Sequence, residues 1–129
     1  MSKAGIMNAK RNIRGVLSVL DEYRTRYELT CDEFVIYAAI GEANVASGRD
    51  ELIILKPTNI ANISYGLGIP KETVRRKVLE LIKRGLVKRN SNGIYVSDLT
   101  VWCNLGSAIT DGAGDPTGET PPRRDSAGA

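Results

Sequence analysis

Residues 66–96 read GLGIPKETVRRKVLELIKRGLVKRNSNGIYV. Gly66 or Gly68 supplies the left-handed residue that ends a helix, and Pro70 suits the start of the next one, where its missing N–H costs nothing. From Lys71 the apolar residues Val74, Val78, Leu81 and Ile82 recur at three- and four-residue steps until Gly85. That spacing predicts an amphipathic helix with one buried stripe. Residues 86–90 and 93–97 are β-rich and joined through Ser91-Asn92-Gly93; Asn-Gly predicts a tight hairpin because both residues tolerate positive φ.

Charge collects in the same stretch. Between residues 71 and 92 stand eight cations (Lys71, Arg75, Arg76, Lys77, Lys83, Arg84, Lys88 and Arg89) against Glu72 and Glu80, a local charge of +6. The whole 129-residue chain carries +3, so the remainder sums to −3. Solubility alone gives no reason for such segregation, which points to a surface that meets a polyanion.

Working outward, residues 8–28 place Ile13, Val16, Leu17, Leu20, Tyr23 and Tyr27 at helical spacing among charged residues, predicting a long amphipathic first helix with these residues inward. Thr30 and Glu33 form a capping box that opens a second helix, apolar almost all round and therefore central, reaching to about Ala46 before Ser47-Gly48 stops it. Residues 52–55 predict a brief strand. Thr58 or Asn59 caps a third helix carrying Ile60, Ile63 and Leu67. Residues 98–109 are ambiguous between a strand and a short helix. Residues 111–129, rich in Gly and Pro without large apolar side chains, are expected to form a flexible tail.

The length suits one domain, over residues 8–110, followed by that tail. Aromatic residues make up 5% of the chain, too few for a base-stacking platform. Histidine is absent and only Cys31 and Cys103 are present, which excludes familiar zinc spacings and the commonest general base, so no metal, cofactor or catalysis is expected. The two cysteines read as ordinary thiols, although Cys31, at a helix start, has the position of an oxidant sensor. No apolar run approaches the ~20 residues of a membrane span, and no secretion signal is evident at the N-terminus. A soluble cytoplasmic protein is expected.

Helix, glycine turn, helix and hairpin in this order give a mainly α fold with a small β-hairpin wing, the winged helix-turn-helix, whose expected succession is helix, helix, strand, helix, helix, hairpin. Stepping about 100° per residue from the buried stripe leaves Glu72, Thr73, Arg76, Glu80 and Lys83 outward, with Lys71 and Arg75 on the flank. Double-stranded DNA is the expected partner. Lys71 and Arg76 suit guanine O6 and N7, and Glu72 suits cytosine N4. Thr73, Arg75, Lys77, Lys83, Arg84 and Lys88 suit the phosphate backbone, as does Asn59 at the positive end of the bracing helix; Arg89 suits the minor groove beside the wing. Tyr65 and Tyr95 are expected at the edge of the core, and Trp102 in the core or a dimer seam.

Residues 63–89, ISYGLGIPKETVRRKVLELIKRGLVKR, resemble the helix-turn-helix of bacterial winged-helix regulators of the MarR, IclR and catabolite-activator types. The resemblance implies base reading by Lys71, Glu72 and Arg76 and a phosphate contact by Thr73. Residues 29–37 are similar to the second helix of MarR-like proteins. The wing is shorter than in that family, and the chain has no room for its long C-terminal dimerisation helices, so a homodimer would use the first helix and residues 98–110. A bacterial, phage or plasmid transcriptional regulator is expected. The rivals are a replication or partition initiator with the same head, and a winged helix whose basic surface meets an acidic protein.

Overall fold

In a computed structural model, which describes residues 2–113, the chain is mainly helical with two small antiparallel strand pairs. Its elements are α1 (Lys3–Tyr27), α2 (Cys31–Asn44), β1 (Val45–Ser47), a short 3-10 turn (Arg49–Glu51), β2 (Ile53–Leu55), α3 (Ile60–Leu67), α4 (Lys71–Lys83), β3 (Val87–Asn90), β4 (Gly93–Val96) and α5 (Leu99–Ala113). Two compact units result, one holding residues up to Val19 and from Leu105, the other Leu20–Asn104. Among the described residues no helix is long and apolar enough to cross a membrane.

In the larger unit α2 is central, packing on α3, α4 and β4. The capping box that starts it is complete: the Thr30 hydroxyl accepts from Glu33 N–H at 3.2 Å, and the Glu33 carboxylate accepts from Thr30 N–H at 3.0 Å. Phe34, Ile36, Tyr37 and Ile40 are buried. Tyr23 of α1 meets the Phe34 ring edge-on and stacks at a tilt on Tyr37, while its hydroxyl donates to Val101 O at 3.1 Å. Burial first, and the Tyr23 hydroxyl second, push the Tyr37 phenol well above its ordinary range, so this aromatic knot is neutral. Trp102 belongs to the same core: its indole N–H donates to Ala38 O at 3.3 Å, over the space left by the absent side chain of Gly41.

Several boundaries differ from the expectations. The second helix stops at Asn44 instead of running to Ala46, because residues 45–47 pair as β1 with β2, Val45 opposite Leu55 and Ser47 opposite Ile53. Residues 99–109 are helical, and α5 continues through residues 111–113, where the tail was expected to begin; the rest of that expectation lies outside the described residues. The Asp98 carboxylate accepts from the N–H groups of Thr100 and Val101 and so starts α5.

The largest difference concerns α1. It begins five residues before the expected start, and Ile13, Val16 and Leu17, expected inward, are exposed. Gly15 and Val19 are buried in the smaller unit and Tyr23 in the larger. Within the smaller unit the buried Gly15 and Val19 stand four residues apart, roughly a third of a turn around the helix from Ile13, Val16 and Leu17.

Candidate nucleic-acid interface

The turn between α3 and α4 is fixed by a few hydrogen bonds. Asn59 caps α3 by accepting from Asn62 N–H at 2.7 Å. At the other end Gly68 sits at φ 69, ψ 28, which only glycine enters without strain, and the N–H groups of Gly68 and Ile69 both reach Ser64 O. The Ser64 hydroxyl closes the turn by donating to Ile69 O at 2.6 Å. Pro70 caps α4, one position before the expected one, and α4 lays Val74, Val78 and Leu81 fully buried against α2. That burial contributes on the order of 1.5–3 kcal/mol per side chain and fixes which face looks outward.

Lys71, Arg76 and Lys83 are exposed on α4, Thr73 is partly so, and none of the three cations makes an ion pair among the described residues. Glu72 and Arg75 are also exposed but engage each other: Arg75 Nε donates to Glu72 Oε1 at 3.1 Å and Nη2 to Oε2. These hydrogen bonds hold the Glu72 carboxyl below the usual glutamate range. Glu72 therefore meets a base only by releasing Arg75.

Two expected phosphate contacts are spoken for within the chain. The carboxylate of Glu33, 3% exposed, lies 3.7 Å from Lys77 Nζ and 3.9 Å from Arg84 Nη1. Arg84 also donates to Tyr27 O at 3.0 Å and to the Glu80 carboxylate at 3.0 Å. A buried carboxylate needs its cations more than a solvated phosphate does, which turns Lys77 and Arg84 from surface contacts into supports of α4. Sequence reasoning saw Glu33 as a cap only; its cationic partners are some forty residues away and leave no local signal.

The hairpin β3–β4 is anchored by residues that the sequence did not single out. Asn44, at the end of α2 and 1% exposed, donates to Lys56 O at 2.8 Å and Ile94 O at 3.0 Å, and accepts from Val96 N–H at 2.9 Å. Thr58 and Ile94 exchange backbone hydrogen bonds, which lays the residue before α3 beside β4. Gly93, at φ 145, permits this approach, since a Cβ there would stand 2.6 Å from Thr58 O. The turn itself is held by the Asn90 side chain, which accepts from Asn92 and Gly93 N–H; Asn92 is not among the residues at positive φ. Lys88 and Arg89 are exposed on β3, with Lys88 Nζ 5.9 Å from the Tyr95 ring centre. Register puts Lys88 with Tyr95 on one face and Arg89 with the buried Ile94 on the other.

Tyr65, expected at the edge of the core, is 92% exposed on α3. Lys71, Arg76, Lys83, Lys88 and Arg89 thus form a set of exposed cations on α4 and the following hairpin, with Asn59 and Tyr65 on the helix before.

No known family, curated protein or solved structure matches this chain.

Proposed function

We propose that the larger unit is a winged helix-turn-helix head, MarR-like in kind, which binds duplex DNA sequence-specifically and acts as a transcriptional regulator. The observation that carries the reading is the division of the basic residues. Lys77 and Arg84 are held on Glu33 and Arg75 on Glu72, while Lys71, Arg76, Lys83, Lys88 and Arg89 project without ionic partners among the described residues. A surface needing only solubility has no use for five uncompensated cations gathered on α4 and the hairpin after it.

Under this reading α4 enters the major groove, N-terminal end first. Arg76 and Lys71 donate to guanine O6 and N7, and Glu72 accepts from cytosine N4 once Arg75 turns to a phosphate. Thr73, Lys83, Lys88, Asn59 and the Tyr65 hydroxyl contact the backbone, and Arg89 enters the minor groove beside the wing. A replication or partition initiator would use the same head; the neighbourhood of the bound sites separates it from a promoter regulator.

Selection of bound duplexes from a random pool, followed by titration of the selected and a scrambled duplex over a range of salt, tests the proposal. The expected result is a short enriched motif, bound far more tightly than the scrambled duplex. Absence of enrichment, with binding only at very low salt, would transfer the basic surface to an acidic protein partner.

A further inference from the structure

Small residues leave a groove between α2 and α3, within the larger unit. Ala39 and Ala43 stand one turn apart on α2, and Gly66 of α3 lines the same space, where an added Cβ would find no atom within 4 Å. Two helices that present methyl groups and a hydrogen where ridges would otherwise interlock do not close completely on each other. The cavity left is about 500 Å³, an ordinary volume for a small-molecule site.

Its lining divides by chemistry. Ala39, Ala43, Ile63 and Leu67 make an apolar floor. Glu42 and Lys56 are exposed at the rim, one carboxylate and one ammonium, and they pair neither with each other nor with any other described residue. Thr58 lines the groove as well; it is 4% exposed, and its hydroxyl has no hydrogen-bond partner among the described residues. Native chains leave few such groups unmet. Opposite charges that share a groove without meeting, over apolar ground, suit a molecule that carries both charges on an apolar body.

We infer that this groove binds a small zwitterion, its ammonium on Glu42, its carboxylate on Lys56 and its apolar part on the floor between α2 and α3. Two sources offer that chemistry, a free apolar α-amino acid and a short apolar peptide with both termini free. A ligand of one sign is poorly matched, since an anion meets Glu42 as well as Lys56 and a cation meets Lys56 as well as Glu42. A purely apolar ligand leaves both charges unused. The inference needs no DNA, and the exposed cations of α4 and the hairpin take no part in it.

Calorimetric titration of the full chain with leucine, phenylalanine and a leucyl-phenylalanine dipeptide tests this, beside two fragments of leucine: isocaproate, which lacks the ammonium, and isoamylamine, which lacks the carboxylate. Saturable binding of at least one zwitterion is expected, about two- to fivefold tighter than either fragment. Preference for the dipeptide assigns the groove to peptides, and preference for an amino acid to the free compound. Glu42→Gln should weaken the zwitterions and isoamylamine by about two- to fivefold without weakening isocaproate, and Lys56→Gln should weaken the zwitterions and isocaproate without weakening isoamylamine. A loss of folding does not produce that crossed pattern. Both side chains are exposed, and Asn44 holds Lys56 through its backbone alone, so the two variants keep the fold. Gly66→Met puts a long side chain at a helical glycine of the lining and should abolish binding with the helical signal intact. A chain that binds none of these probes at millimolar concentration, a fragment that binds as tightly as the best zwitterion, or affinities that ignore all three substitutions would overturn the inference.

Discussion

At the scale of single residues, the proposed function makes position on α4 separate reading from holding. Arg76 is exposed and makes no ion pair among the described residues, whereas Lys83 lies at the helix's far end. Arg76→Ala is expected to lose about 1–3 kcal/mol on the selected duplex and little on a scrambled one, while Lys83→Ala weakens both equally and flattens the salt slope by about one unit. Equal loss for Arg76→Ala on both duplexes would refute base reading. Glu72 offers a sharper distinction, because its carboxylate is occupied by Arg75. If Glu72 only restrains Arg75, Glu72→Gln frees a cation and should tighten binding to scrambled DNA, steepening the slope by about one unit. If it reads cytosine, the same substitution should lower affinity for the selected duplex. Titrating both duplexes with the variant decides between the two roles.

Elements obey a different logic, in which local signals set the helices and distant partners set the rest. Gly68 has open space around its Cα, so Gly68→Ala tests backbone conformation alone, and at φ 69 it should cost about 1–2 kcal/mol in thermal or denaturant unfolding; Gly68→Asn should cost less. Asn44 tests long-range anchorage. Asn44→Ala strands the Val96 N–H and the Lys56 carbonyl, while Ile94 O keeps its bond from Thr58 N–H, at about 1–3 kcal/mol for each group that water cannot reach. Amide exchange should then quicken in β4 before it does in α2. The same contrast explains what the sequence made legible. The Thr30–Glu33 box, the Asn59 cap, the turn after Leu67 and the stripe Val74, Val78 and Leu81 are all written in neighbouring residues, and each is where its pattern predicts. Val45-Ala46-Ser47 continues the apolar run of α2 without interruption, and only pairing with residues 53–55 makes it a strand. The exposure of Ile13, Val16 and Leu17 is likewise not legible in the periodic pattern, which sets them on the inward stripe. Of the candidate site, the exposure of Lys71, Arg76 and Lys83 on α4 was legible and the internal engagements of Lys77 and Arg84 were not, since Glu33 lies on another helix.

For the whole molecule, that last distinction becomes a number. The sequence offers eight cations between residues 71 and 92, but three of them are compensated by Glu33, Glu72 and Glu80. Each phosphate neutralised releases counterions and steepens the plot of log affinity against log salt by about 0.9, so five acting cations give a slope of about −4.5 per head and eight give about −7. Under the proposed function the shallower slope is expected on a duplex long enough for one head. Glu33→Gln should move it toward the steeper value, because loss of the buried charge releases Lys77 and loosens Arg84, though Glu80 still holds the latter. The variant's unfolding midpoint must be measured beside its slope, since the buried carboxylate also ties α2 to α4 and glutamine keeps only its capping role. A wild-type slope near −7 would mean that Lys77 and Arg84 leave Glu33 when DNA arrives, and that the inward pairs are a resting arrangement of the binding surface instead of a permanent brace. The slope on a duplex carrying one site therefore reports how many cations a head commits.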